Sequence, residues 1–147
     1  MAITDSREVV IDATPGEIMN VLLDLESLPE WSALHAEIEI LERDSQGRPS
    51  KCRQTVKVLG ATDEQVVDYC IHDDGLSWNL LSGKQLRAQR GRYILTSDGD
   101  STKVRLNLTV DLFAPVPGFL VRRGAKWLMQ AATDGLRQRV LEVKGAK

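Results

Sequence analysis

Two side chains in this sequence have the chemistry for acid–base work. His35 has a reference pKa near neutrality and can give or take a proton. Asp68 falls on a stretch with strand character, where it would be the one carboxylate pointing inward. A buried carboxyl protonates unless a cation or a histidine holds it ionised. Paired, Asp68 and His35 would support proton abstraction next to a carbonyl. The plainer alternative makes His35 a satisfied histidine at a rim and joins Asp68 to an arginine on a neighbouring strand. We prefer it, because a His and an Asp of unknown separation serve structural networks as readily. The chain has two cysteines, Cys52 and Cys70. No CxxC or Cys/His spacing points to a metal, and no cation-rich context activates Cys70 as a nucleophile. Both thiols are expected to be free, with no metal and no cofactor.

These residues need elements to position them, and the most informative one is the last. Val116 to Glu142 reads as one helix of about seven turns. Val121, Ala125, Leu128, Met129, Ala132, Leu136, Val140 and Val143 fall in one stripe of it. Beside that stripe lie Leu120, Gly124, Trp127, Ala131 and Gly135. A glycine inside a helix costs roughly 1 kcal/mol against alanine. Small residues beside a tryptophan point either to close packing on a sheet or to the ceiling of a pocket with Trp127 as one wall.

Before that helix the period is 2. Arg7 to Ile11 is a short strand. Two short helices follow, the first capped by Thr14, with Pro15 at its first position and Glu17 completing a capping box. Strands follow over Glu37–Glu42, Lys51–Leu59, Gln65–His72, Leu76–Leu81, Leu86–Ser97 and Lys103–Leu112. Turns are expected at Ser45–Pro49, Gly60–Asp63, Asp73–Gly75, Ser82–Lys84 and Ser97–Asp100. The stretch from Ala114 through Pro115, Val116 and Pro117 to Gly118 breaks the sheet. Strands that follow one another directly make an antiparallel sheet and an α+β fold. Seven strands and one long helix require the sheet to curl around the helix, one face inward and one in water. Asp68 and Cys70 are expected on the inner face and Tyr69 on the outer.

The chain has 147 residues, 42% of them apolar and 27% charged, with a formal net charge of −2. These values suit one soluble domain spanning residues 1–147. The balance argues against a nucleic-acid partner, and the clusters Arg87/Arg90/Arg92 and Arg122/Arg123/Lys126 read as solvated faces. No basic and apolar leader opens the chain, and no apolar run approaches the ~18 residues that cross a membrane. A cytoplasmic protein without stable membrane insertion is expected, as a monomer or weak homodimer.

The chain resembles the polyketide cyclase/dehydrase group of the START-like, or Bet v 1-like, superfamily. The resemblance is carried by Asp12-Ala13-Thr14-Pro15-Gly16-Glu17, by Asp24-Leu25-Glu26-Ser27-Leu28-Pro29-Glu30-Trp31 and by Arg90-Gly91-Arg92-Tyr93. Ser101-Thr102-Lys103-Val104, Pro115-Val116-Pro117-Gly118-Phe119-Leu120 and Arg137-Gln138-Arg139-Val140 complete it. It implies a helix-grip fold with an apolar cavity between sheet and last helix, where members hold polyketides, lipids or other apolar small molecules. In aromatase/cyclase members an aromatic hydroxyl follows the Pro-Glu turn, and His35 stands at that position. A cavity serine and arginine correspond to Asp68 and Cys70, and a histidine and asparagine on the last helix to Trp127 and Gly135. Losing those donors makes the site more apolar and less suited to polarising a poly-ketone.

Trp31, Trp78, Tyr93, Phe113 and Leu106 are expected to line the cavity with the small residues of the last helix. Gly91 would mark the close approach of a ligand or another backbone. The expected function is to bind a polyketide-like or lipid-like molecule. One alternative is a cyclase/dehydrase-type enzyme using His35 and Asp68. Another is an interaction or toxin-type module, which would show an exposed apolar patch near residues 116–120 and a poorly formed cavity.

Overall fold

The structure is a computed structural model that describes residues 2–58, 60–113 and 115–145. Its elements run in chain order as β1 (Ala2–Ile11), α1 (Pro15–Leu23), a single 3-10 turn (Leu25–Ser27) and α2 (Leu28–Trp31). β2 (His35–Arg43), β3 (Pro49–Val58), β4 (Ala61–His72), β5 (Gly75–Ser82), β6 (Leu86–Asp98), β7 (Ser101–Leu112) and α3 (Gly118–Gly145) follow. Leu59 and Ala114, expected to end a strand and to open the sheet break, lie outside the described residues.

The strands form one antiparallel sheet in the order β1-β7-β6-β5-β4-β3-β2. Six consecutive strands are thus a meander, and β1 closes on its far side by pairing with β7. The turn chemistry expected from the sequence sets the register. Asp73 and Asp74 are the two turn residues between the paired His72 and Gly75. Gly75 has a φ of +155°, and a Cβ there would run into the Tyr93 carbonyl, so the tight approach of β5 to β6 requires glycine.

The first helix starts as its residues dictate. The Thr14 hydroxyl accepts from the Glu17 N–H at 3.2 Å, and the Glu17 carboxylate accepts from the Thr14 N–H at 3.0 Å. α3 starts two residues later than expected, because Pro117 supplies the carbonyl that accepts from the Leu120 and Val121 N–H groups. Val121, Ala125, Met129, Ala132, Leu136 and Val140 are buried against the sheet as the stripe predicts, and Val143 is exposed. Three polar ties hold the helix to the sheet. The Tyr93 hydroxyl donates to the Ala132 carbonyl at 3.1 Å. Arg7 Nε donates to the Thr133 hydroxyl at 2.9 Å, and its Nη2 pairs with Asp134.

Several strands begin earlier than the sequence reading has them, β1 and β4 by the most. β1 begins at Ala2 rather than Arg7, paired with β7 along its whole length. β4 begins at Ala61, inside the expected Gly60–Asp63 turn. Asp63 is buried there, its carboxylate accepting from the Lys84 and Gln85 N–H groups at 2.9 and 3.2 Å. A residue that reads as turn punctuation is instead the anchor of the β5–β6 connection.

Candidate functional site

The sheet and the helices do not meet everywhere. Leu25 and Leu28 at one end, Trp31, Leu34 and His35 on one side, Leu76, Trp78 and Tyr93 on the sheet, and Leu128 and Ala132 on α3 enclose a cavity of about 80 Å³. Leu34, Lys57, Gln89 and Leu128 belong both to this chamber and to a larger apolar groove of about 690 Å³. The groove runs along the first half of α3 past Val116, Leu120, Gly124 and Trp127, against Leu86, Val110 and Leu112 of the sheet. Chamber and groove therefore share a doorway, and the groove is its mouth.

The aromatic wall follows from the strand register. Tyr69, Trp78 and Gly91 are directly opposite one another on β4, β5 and β6. A Cβ on Gly91 would overlap the Trp78 indole, so the missing side chain is what lets the indole lie across β6. The Trp78 and Tyr93 rings stand 5.6 Å apart at 48°. The Trp78 Nε1–H donates to Gln89 Oε1 at 3.3 Å.

A hydrogen-bonded chain crosses the same inner face. Tyr69 donates to Gln54 Oε1 at 3.1 Å, Gln54 Nε2 to Gln65 Oε1 at 3.3 Å, and Gln65 Nε2 to Asp63 at 3.2 Å. Burial pushes the phenols of Tyr69 and Tyr93 above their ordinary range, so both are neutral hydroxyls whose protons are already committed. His35 is held neutral too, its pKa lowered to about 4 by burial. Ser32 Oγ accepts from the Leu34 N–H and lies 2.8 Å from His35 Nδ1, where we assign the Ser32 hydroxyl as the donor. That assignment leaves the proton on Nε2 as a donor. The indole Nε1–H of Trp31 is buried and has no partner among the described residues. The site thus offers neutral donors in an apolar chamber.

The sequence-predicted residues fall into three groups. Trp31, His35, Trp78 and Tyr93 stand around the chamber, and Leu120, Gly124 and Trp127 along the groove. Gly91 is buried beneath Trp78. Leu106 is fully buried in the core, and Ala131 and Gly135 touch neither space. Gly135 instead receives the Trp31 ring, whose Cε3 would lie 3.5 Å from a Cβ. Phe113 is exposed, with the Arg87 guanidinium 5.5 Å above its ring.

Asp68 and Cys70 require correction. Both are exposed on the outer face, and Tyr69 is the inward residue. Asp68 sits opposite Lys51, and His35 is on the other side of the sheet, so the acid–base pair does not form. The misreading has a physical source. Val66 and Val67 are adjacent apolar residues that fit either face, and the true inner set of β4 includes the polar Asp63 and Gln65. Gln54 and Gln89 are polar residues of the inner face that carry no apolar signal, although each shares the phase of apolar neighbours, Cys52 and Val56 or Tyr93 and Leu95. Cys52 is the buried thiol, pushed up to about 11 by burial and so inert as a nucleophile.

Among the described residues no helix is long and apolar enough to cross a membrane. Residues 3–141 match the family model described as polyketide cyclase/dehydrase and lipid transport. A START superfamily protein from Mycobacterium smegmatis is 26% identical, with a TM-score of 0.90 over 95% of this chain and 98% of that one. A protein from Thermus thermophilus is 23% identical and shares the fold, with a TM-score of 0.80 over 96% of this chain and 99% of that one. The Zhui aromatase/cyclase from Streptomyces sp. R1128 is 13% identical and shares the fold, with a TM-score of 0.83 over 95% and 94%. No curated protein matches the chain.

Proposed function

The chain belongs to the polyketide cyclase/dehydrase and lipid transport family, with its helix-grip fold, and from that premise we propose that it binds a polyketide-like or lipid-like molecule between the sheet and α3. The observation that carries this reading is the apolar chamber with its doorway to the α3 groove. Sites for small molecules commonly measure about 300–1,000 Å³ and are mostly apolar with a few fixed polar groups. The chamber alone, at about 80 Å³, is below that range, and the groove is within it. The fitting ligand therefore places a compact apolar end, such as a ring, in the chamber and extends into the groove. An oxygen on that end would meet the unpartnered Trp31 Nε1–H and the His35 Nε2–H, because an unmet buried donor costs about 1–3 kcal/mol.

An acid–base enzyme using His35 with Asp68 has no support in this geometry, since the two lie on opposite faces. Native mass spectrometry of freshly purified protein tests the binding reading, together with titration by a naphthalene-type fluorescent probe. The probe should bind the parent protein and lose at least about tenfold in affinity in Leu128→Trp, which plugs the doorway, in line with the cost of overpacking. Equal probe affinity in the two folded proteins, with no co-purified small molecule, overturns the reading.

A further inference from the structure

We propose that the mouth of the cavity docks on an anionic lipid bilayer. The first argument is exposure. The chain has only two phenylalanines, and both are in water at this end, Phe119 at 63% and Phe113 at 54% exposure. They flank the connection into α3, and Trp127 (49%) and Leu120 (37%) continue the surface along the groove. Large apolar side chains left together in water mark a surface meant to be covered.

The second argument is charge. The chain as a whole is −2, yet no carboxylate occurs from Leu112 to Thr133, while Arg122, Arg123 and Lys126 do. Among the described residues these three enter no ion pair, whereas Arg7, Arg53, Arg92 and Arg105 all do. Lys57 stands at the doorway, and Arg87 lies over the Phe113 ring. The surface is therefore an apolar, aromatic patch interleaved with unpaired cations. An anionic leaflet answers both parts at once: rings enter the headgroup boundary, and Lys and Arg stems lie along it with their charges on lipid phosphates. An acidic protein face would match the cations and leave the phenylalanines unaccounted for. The docked pose turns the groove toward the membrane, so an apolar ligand could pass between bilayer and chamber without crossing water; that consequence alone rests on the proposed binding function.

The test is co-flotation of the full chain with phosphatidylcholine vesicles, with and without phosphatidylglycerol. Binding should require phosphatidylglycerol and weaken in high salt. Each cation near a leaflet contributes about fivefold in partitioning, so Arg123→Gln with Lys126→Gln should lower binding by about twenty-five-fold. Phe119→Ser should also lower it, while Val10→Ser, an exposed apolar residue at the far end of β1, should not. Circular dichroism confirms that each variant is folded. Absence of flotation, indifference to phosphatidylglycerol, or unchanged binding in the folded Arg123/Lys126 and Phe119 variants overturns the proposal, as does capture of an acidic protein by a chain that ignores vesicles. Fluorescent-probe binding in vesicle-free buffer reads the cavity separately, so either idea can fail while the other stands.

Discussion

At the residue scale, the pair that decides the shape of the site is Trp78 and Gly91. The indole occupies the space where a β6 side chain would stand, and its edge N–H is held by Gln89. Gly91→Ala forces the indole off that surface. The expected loss is about 1–3 kcal/mol in urea denaturation, with a change in tryptophan fluorescence as the ring moves. His35 gives a pH signature. Its folded pKa, about 4, lies below the ordinary value of 6.5, so the unfolded chain takes up the proton first. Stability is therefore full above about pH 6.5 and falls as the pH drops toward about 4, by at most about 3 kcal/mol from this group. Urea midpoints across that range should fall in the parent and fall less in His35→Gln.

At the scale of elements, the helix starts are the simplest devices to disturb. Thr14→Ala removes the hydroxyl that accepts the Glu17 N–H and should cost about 1 kcal/mol in thermal or urea unfolding, without moving probe affinity. The same scale shows what was legible in the sequence. The capping box, the turns at Asp73–Gly75 and Ser97–Asp100, and the alternation of Val104, Leu106, Leu108 and Val110 are local signals, and they specify the order and pairing of the strands. The inner face of β4 was not legible, because burial of Asp63 and Gln65 depends on partners supplied by Gln54 and the β5–β6 connection, far away in sequence. The small residues of α3 divide in the same way. Gly124 borders the groove as the sequence suggests, whereas Gly135 serves Trp31, whose position depends on how α2 folds back onto α3. Periodicity tells which residues share a face and leaves open what the face meets.

At the scale of the whole molecule, the sheet separates two environments. Its inner face carries the chamber, the amide and phenol chain and the groove; its outer face carries the ion pairs of Arg53, Arg92 and Arg105. The sheet is open, and its two edges are treated differently. β1 is backed by α3 through Arg7, Thr133 and Asp134. β2, the other edge, is packed on one face by α2 and the 3-10 turn, with slips in its pairing at His35/Glu37 and Ile40/Glu42 and with Glu37, Glu39 and Glu42 exposed along it. A straight, uncharged margin would recruit strands from other molecules; irregular pairing and repeated negative charge prevent that. Replacing Glu37 and Glu39 by valine should therefore raise light scattering and thioflavin fluorescence on concentration, in a chain that otherwise folds as before. The glutamates of β2 act, in this sense, as a guard against fibre growth, and the concentration the protein tolerates is decided on the edge farthest from β1.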